Sequence, residues 1–213
     1  MMMSPGTRQG EKVYADLKEA VLSGRYACDT ELSIAAIAED IGAGGSPVRD
    51  GLHRLYGERL LRMGPHRGFR VPSWSADALR DCYTWHGHLM RMAIKAIGPK
   101  ALREPVAPEG WLTDYSNPDR IVATAERMFL TLANRSSSYE LVAAVANAGE
   151  RLRTIRLVET ERWLDCGDEL VSANVLARFE PGSRLLEALW NYHRRRIRAA
   201  NMLSEALKLR LQS

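Results

Sequence analysis

The stretch that decides the fold of this chain runs Ser33-Ile34-Ala35-Ala36-Ile37-Ala38-Glu39-Asp40-Ile41-Gly42, then Ala43-Gly44-Gly45, then Ser46-Pro47-Val48-Arg49-Asp50-Gly51-Leu52-His53-Arg54-Leu55. Ser33 is suited to cap a helix whose N3 residue is Ala36, and Ile34, Ile37 and Ile41 fall on one face of it. Gly42 stops that helix. After the break, Ser46 can cap a second helix over 46–58, with Pro47 in the first turn, where a missing N–H is no loss. Val48, Leu52 and Leu55 recur along one side, while Ser46, Arg49 and His53 fall on the other. The second helix therefore has a dry face and a hydrogen-bonding face.

Working outward, Val13, Leu17, Ala20 and Val21 follow helical spacing from Glu11 to Leu22, and Gly24 ends the run. On the other side, Leu60-Leu61-Arg62-Met63 and Phe69-Arg70-Val71 read as short strands around the turn Gly64-Pro65-His66-Arg67-Gly68. Three helices and a basic-tipped hairpin over 8–73 predict a winged helix-turn-helix, its third helix shaped for a major groove and its tip for phosphates. Three short helices with a hairpin also occur in proteins that bind no DNA, and exposed basic residues are usually solvation.

Composition sets the outer limits. With 213 residues, 46% hydrophobic and 26% charged, the chain can bury one good core or two small ones, which excludes disorder and collagen-like repetition. A net charge of +4 permits a nucleic-acid or anionic partner without demanding one. Five of the 30 basic residues are lysines, so arginine dominates. That suits bidentate contacts to phosphate and guanine, and GC-rich coding explains it equally well. Cys28, Cys82 and Cys166 form no close pair, which predicts reduced thiols rather than a zinc ribbon. No apolar run approaches a membrane span and no secretory signal opens the chain, so a cytoplasmic protein with no membrane partner is expected.

Residues 11–72 resemble the N-terminal domain of the GntR family of bacterial transcription regulators. The resemblance is carried by Val13-Tyr14-Ala15-Asp16-Leu17 through Gly24, Ile37-Ala38-Glu39-Asp40-Ile41-Gly42, Ser46-Pro47-Val48-Arg49-Asp50-Gly51-Leu52, and Arg67-Gly68-Phe69-Arg70-Val71. It implies DNA contacts from Gly45, Ser46, Arg49, Arg67 and Gly68, with His66 close by and His53 on the same helix face. The chain departs from the family where Gly44 and Gly45 replace a serine and a base-reading arginine. An altered operator or a weaker affinity is the expected result. Cys28-Asp29 also replaces a typical Pro-Gly turn.

Beyond Pro72-Ser73 the pattern is helical throughout 74–213, with helices expected at about 75–97, 119–134, 137–164, 167–179 and 183–211. A Pro- and Gly-rich irregular connection separates the first two. Stripes at Ile121/Ala125/Phe129/Leu132, at Leu141/Val145/Ala148/Leu152/Ile155 and at Leu186/Leu189/His193/Ile197/Ala200/Leu207 predict an all-α antiparallel bundle. In helix count and attachment this region is similar to the FCD effector-binding domain of one GntR subgroup, which implies a small carboxylate or similar effector and a homodimer on a palindromic operator. Many such domains bind a metal through an aspartate, a histidine four residues later and two further histidines. The matching positions here are Ala125, Phe129, about Val171 and His193. Only His193 keeps a ligand atom, so no metal and no cofactor are expected.

His193 is read as a satisfied core histidine, an effector contact or a metal ligand. His86 is a pocket or interface candidate, and it diverges from His88 because residues two apart on a helix do not share a face. The arginines at 151, 153, 156, 194, 195, 196 and 198 are assigned mainly to solvated or inter-subunit faces, although one turned inward, Arg156 or Arg151, could neutralise an anionic effector. Asn147 and Asn174 complete the effector candidates. No phosphate-cradling loop or nucleophile elbow is present, and Asp165, Cys166 and Asp168 read as a polar loop, so catalysis is not expected. The resulting expectation is a ligand-responsive, homodimeric, DNA-binding regulator, a repressor more often than an activator. Its alternatives are a bundle that only dimerises and a weak, accessory DNA binder.

Overall fold

The computed structural model describes residues 5–64, 68–98, 117–179 and 182–210. They fall into two compact units, the first ending at Trp74 and the second running from Ser75 to Arg210. The first contains α1 (Pro5–Leu22), β1 (Glu31–Leu32), α2 (Ile34–Asp40), α3 (Gly45–Gly57), β2 (Arg62–Met63) and β3 (Phe69–Arg70). Its three strands are antiparallel in the order β1-β3-β2, with Phe69 opposite both Leu32 and Met63. This is a helix-turn-helix followed by a small hairpin sheet.

The three helices of this unit end in the same way. After α1, Gly24 (φ 76°) lies in the left-handed region, and the Arg25 amide donates to Ala20 O at 3.1 Å. After α2, Gly42 (φ 61°) takes that place, and the Ala43 amide donates to Ala38 O at 2.9 Å. After α3 the left-handed residue is Arg59 (φ 59°), and the Leu60 amide donates to Leu55 O at 2.9 Å. Each is a Schellman end, in which carbonyls of the last turn find donors that the helix itself cannot supply. The third one corrects the strand expected at 60–63: Leu60 and Leu61 are core-facing turn residues, and pairing begins only at Arg62. Strand β1 was not foreseen, because two residues carry no alternation to read.

Two further corrections concern helix starts. Ser33 caps α2, accepting from the Ala36 amide at 3.3 Å, but Ser46 caps nothing. Gly44 is the N-cap of α3, with no side-chain hydrogen bond, and Ser46 lies within the first turn. Helix α1 begins at Pro5 rather than Glu11. The core under α3 joins Leu17, Val48, Leu52, Leu55, Leu60, Leu61 and Phe69. Each large aliphatic side chain buried there contributes roughly 1.5–3 kcal/mol.

The second unit is all helical among the described residues: α4 (Ala76–Ala96), α5 (Pro118–Asn134), α6 (Tyr139–Arg151), α7 (Arg153–Arg162), α8 (Cys166–Phe179), α9 (Ser183–Arg198) and α10 (Ala200–Arg210). Ser75, Asn117 and Ser138 cap α4, α5 and α6 through the amides of Ala78, Asp119 and Leu141. The core gathers Leu89, Met90 and Ala93 of α4 with Met128, Phe129 and Leu132 of α5, Val145 and Ala148 of α6, and Leu185 and Leu189 of α9. Two expected helices are each broken in two. Leu152 donates its amide to both Ala148 O and Gly149 O, a tightened turn that separates α6 from α7. Ala199 separates α9 from α10, its amide shared between Arg195 O and Ile197 O. Neither site holds the proline or left-handed glycine that would announce a break.

Candidate nucleic-acid interface and interior polar cluster

On α3 the inner residues Val48, Gly51, Leu52 and Leu55 are buried, while Ser46, Arg49 and His53 are exposed. Gly51 is where α1 crosses closest: a Cβ there would lie 2.7 Å from Leu17 Cδ1. That contact fixes which face of α3 turns outward. Of the two arginines on α3, Arg54 is already engaged, 2.7 Å from Glu11 Oε1 with its guanidinium 3.7 Å from the Tyr14 ring centroid. Arg49 meets no partner among the described residues. The His53 ring stands edge-on to Phe69, 4.8 Å between centroids, which ties the outer face of α3 to the strand that leads out of the hairpin.

Gly45 is exposed at the start of α3, and Gly68 is half-buried beside β3, its carbonyl accepting from the Gly64 amide at 2.7 Å. His66 and Arg67 lie outside the described residues. At Gly45 an added Cβ would meet only Ile34 Cγ2 at 3.8 Å, and at Gly44 only Pro47 ring atoms, from 3.6 Å, so the fold itself leaves room for side chains at both positions.

The interior of the second unit is polar to a degree the apolar stripes do not suggest. His86 of α4 and His193 of α9 are fully buried, with His86 Nδ1 2.7 Å from His193 Nε2 and His193 Nδ1 2.6 Å from Leu189 O. Gly87 permits this approach, since a Cβ there would lie 3.2 Å from the His193 ring. Phe129 stacks edge-on against His86 at 4.8 Å, and the Arg156 guanidinium lies 5.3 Å from the same ring. Burial holds both imidazoles neutral: His86 is driven well below the usual histidine range, helped by the neighbouring His193 and Arg156, and His193 is lowered to about 3.

Beside them runs an ion network. Tyr83 donates to Glu159, whose other oxygen lies 2.8 Å from Arg196 Nε. Arg196 Nη1 reaches Glu169 and Tyr192 O, both at 3.0 Å. Arg196 and Glu159 are 1% and 2% exposed, so the solvated role expected for the arginines of α9 is wrong for Arg196. The signal was in the spacing, since Leu189, His193, Arg196 and Ala200 share one face and Glu159 follows Ile155 by one turn. Their charge concealed it.

Arg156 is the opposite case. It is 2% exposed, donates through Nη1 to Gly149 O at 3.3 Å, and its Nε and Nη2 have no hydrogen-bond partner among the described residues. His86 Nε2 and both side-chain atoms of Asn174 are likewise buried and unpartnered. The structure thus brings His193, His86, Phe129 and Arg156 together around one ring, with Ala125 a turn away and buried. Asn174 is buried on α8, and Asn147 is half-buried on α6.

The metal that the FCD resemblance implies does not fit these residues. Ala125, Phe129 and Val171 offer no ligand atom. The carbonyl of Leu189 can only accept, so His193 Nδ1 carries the proton and Nε2 is its one lone pair, which His86 occupies. Among the described residues, no group of three or more His, Cys, Asp or Glu converges on a point.

The described residues thus form a helix-turn-helix with a small hairpin sheet in one unit and a helical bundle in the other. Residues 9–71 match the family described as bacterial regulatory proteins, gntR family. The HTH-type transcriptional repressor GlaR of Escherichia coli (strain K12) is 27% identical over 81 residues, a match covering 38% of this chain and 37% of that one. Two solved structures share the fold over nearly the whole chain. E. coli McbR/YncC has a TM-score of 0.60 and 19% identity, covering 99% of this chain and 98% of the other. A transcriptional regulator GntR from Rhodococcus sp. RHA1 has a TM-score of 0.65 and 14% identity, covering 92% and 97%. No described helix is long and apolar enough to cross a membrane.

Proposed function

We propose that the protein is a cytoplasmic, homodimeric transcription regulator of the FadR-like, FCD-bearing subgroup. It binds a palindromic operator through α3 and the hairpin, acts as a repressor, and is controlled by a small-molecule effector held inside the helical unit. The observation that carries the DNA reading is the division of α3: one side is locked into the core by Leu17 against Gly51, and the other presents Ser46, the unengaged Arg49 and His53. Two copies would seat their α3 helices in successive major-groove half-sites about one helical turn apart.

Arg49 is the base-edge or phosphate contact in this reading, Ser46 a phosphate donor, and Gly45 and Gly68 points of close backbone approach, with His66 and Arg67 as further DNA contacts. Effector binding at His86, His193, Phe129 and Arg156 biases the equilibrium between two arrangements of the dimer, so DNA must alter effector affinity by the same factor. The test is fluorescence anisotropy on DNA from the protein's own promoter region. Salt-dependent, saturable binding, weakened at least tenfold by Arg49→Ala with folding intact, is expected. Equal binding by wild type and Arg49→Ala would remove α3 from the interface.

A further inference from the structure

Helix α3 carries on its outer side a charge that no contact within the protein explains. Successive helical residues are about 100° apart, so Ser46, Asp50, His53 and Gly57 fall within about 60° of one another, opposite the buried Val48, Gly51, Leu52 and Leu55. Asp50 is thus within the outward face, exposed, and it meets no partner among the described residues. The arginine one turn on, Arg54, does not neutralise it, because its guanidinium is held by Glu11 Oε1 at 2.7 Å and lies over the Tyr14 ring. Arg49 projects about 100° round the helix from Asp50, on the other flank of the face. The space beside Asp50 is not filled: it borders an open groove between α1 and the start of α3, with Gln9, Tyr14, Ser46 and Pro47 as neighbours.

A face that lies in a major groove brings such a carboxylate against phosphates and base edges. The phosphates repel it, and as an acceptor it can bond only a donor group. The base edges of the major groove offer amino groups on cytosine N4 and adenine N6, whereas guanine and thymine present carbonyl oxygens there. Adenine also sets an acceptor, N7, beside its amino group, and cytosine shows the carboxylate no such second lone pair. Resting on the DNA reading above, we propose that Asp50 is a specificity-determining residue that selects a C·G pair in each half-site by accepting from cytosine N4. Gly44 and Gly45 offer no side chain to a base, so selection moves along α3 to Asp50.

The experiment uses the full-length chain and its Asp50→Asn and Asp50→Ala variants, which are expected to share the wild-type thermal midpoint because the side chain is exposed and unpartnered. Sequence preference is read by selection from a pool of duplexes randomised across both half-sites, and affinity by fluorescence anisotropy on the selected duplex and its single-pair substitutions. The wild type is expected to require a C·G pair at one position of each half-site and to bind about tenfold more weakly when T·A replaces it. In Asp50→Asn the amide donates as well as accepts, which suits adenine N7 and N6, so the preference at that position turns from cytosine to adenine. Asp50→Ala loses the preference there, and its affinity for unrelated DNA rises because a charge repelled by phosphates has gone.

Half-site profiles identical in the wild type and both variants would overturn the proposal. So would a gain in affinity for every sequence alike in Asp50→Ala with the preferences intact, since Asp50 would then act by charge alone. A wild-type preference at the affected position for any pair other than C·G has the same consequence. The DNA reading is judged separately, on Arg49→Ala. Binding lost in Arg49→Ala alongside unchanged preferences in the Asp50 variants keeps α3 in the interface and removes this role from Asp50, whereas a wild type without salt-dependent DNA binding removes both.

Discussion

Glu159 and Gly45 illustrate opposite demands on single residues. Glu159 balances Arg196 and accepts from Tyr83 in a dry interior, so Glu159→Gln leaves a guanidinium short of its counter-charge while nearly preserving shape. Such a change costs about 3 kcal/mol, and urea unfolding of the variant should report it. A loss within experimental error would mean that Glu169 alone neutralises Arg196. At Gly45 the fold makes no demand, because its φ is outside the left-handed region and a Cβ there would meet Ile34 Cγ2 only at the ordinary contact distance of 3.8 Å. Gly45→Arg should therefore keep the thermal midpoint and, on the DNA-binding function proposed above, change preference among operator variants by roughly 1–3 kcal/mol, since the GntR sequences that residues 11–72 resemble carry a base-reading arginine there. Binding profiles over a half-site library that are identical for the two proteins would show that position 45 does not face the bases.

At the scale of elements, helix ends were legible in the sequence where glycine marked them and hidden where it did not. Gly24 and Gly42 announce two Schellman ends. Arg59 performs the same task with a side chain that penalises the left-handed conformation, so the sequence there reads as continuous with a strand. Arg59→Gly should raise stability by about 0.5–1 kcal/mol, the relief of that strain less the added freedom of the unfolded chain. Chemical denaturation measures it, and a destabilised variant would mean that the arginine side chain makes a contact worth more than the strain. The breaks at Leu152 and Ala199 have no such marker. They come from how long helices must bend to close a bundle, which depends on partners distant in sequence.

For the molecule as a whole, the buried imidazoles link stability to acidity. In the folded bundle His86 and His193 remain neutral well below pH 6.5, with His193 lowered to about 3 by burial, whereas the unfolded chain takes up protons near 6.5. The unfolded state therefore binds more protons across that interval. The stability present above pH 6.5 is lost as pH falls toward 3, with His193 alone contributing about 2 kcal/mol of that loss by pH 5. Tryptophan fluorescence during denaturant unfolding from pH 7.5 to 4.5 should show this decline, and His193→Gln should flatten it. A flat profile in the wild type would mean that the two rings are protonated in place.

Local chemistry alone was enough to read the helix-turn-helix from Ser33 to Leu55, the dry and polar sides of α3, and the all-helical character of the second unit, because capping, breaking and 3.6-residue periodicity act over a few neighbouring residues. The tertiary structure decided which charges are inside. Arg196 and Arg156 look alike in sequence, but one is neutralised by carboxylates from two other helices and the other faces an aromatic ring with N–H groups to spare. The state of His86 was decided in the same way, by a carbonyl and a second imidazole from α9. Electrostatic balance and tautomer choice depend on distances between segments far apart in the chain, and only folding sets those distances.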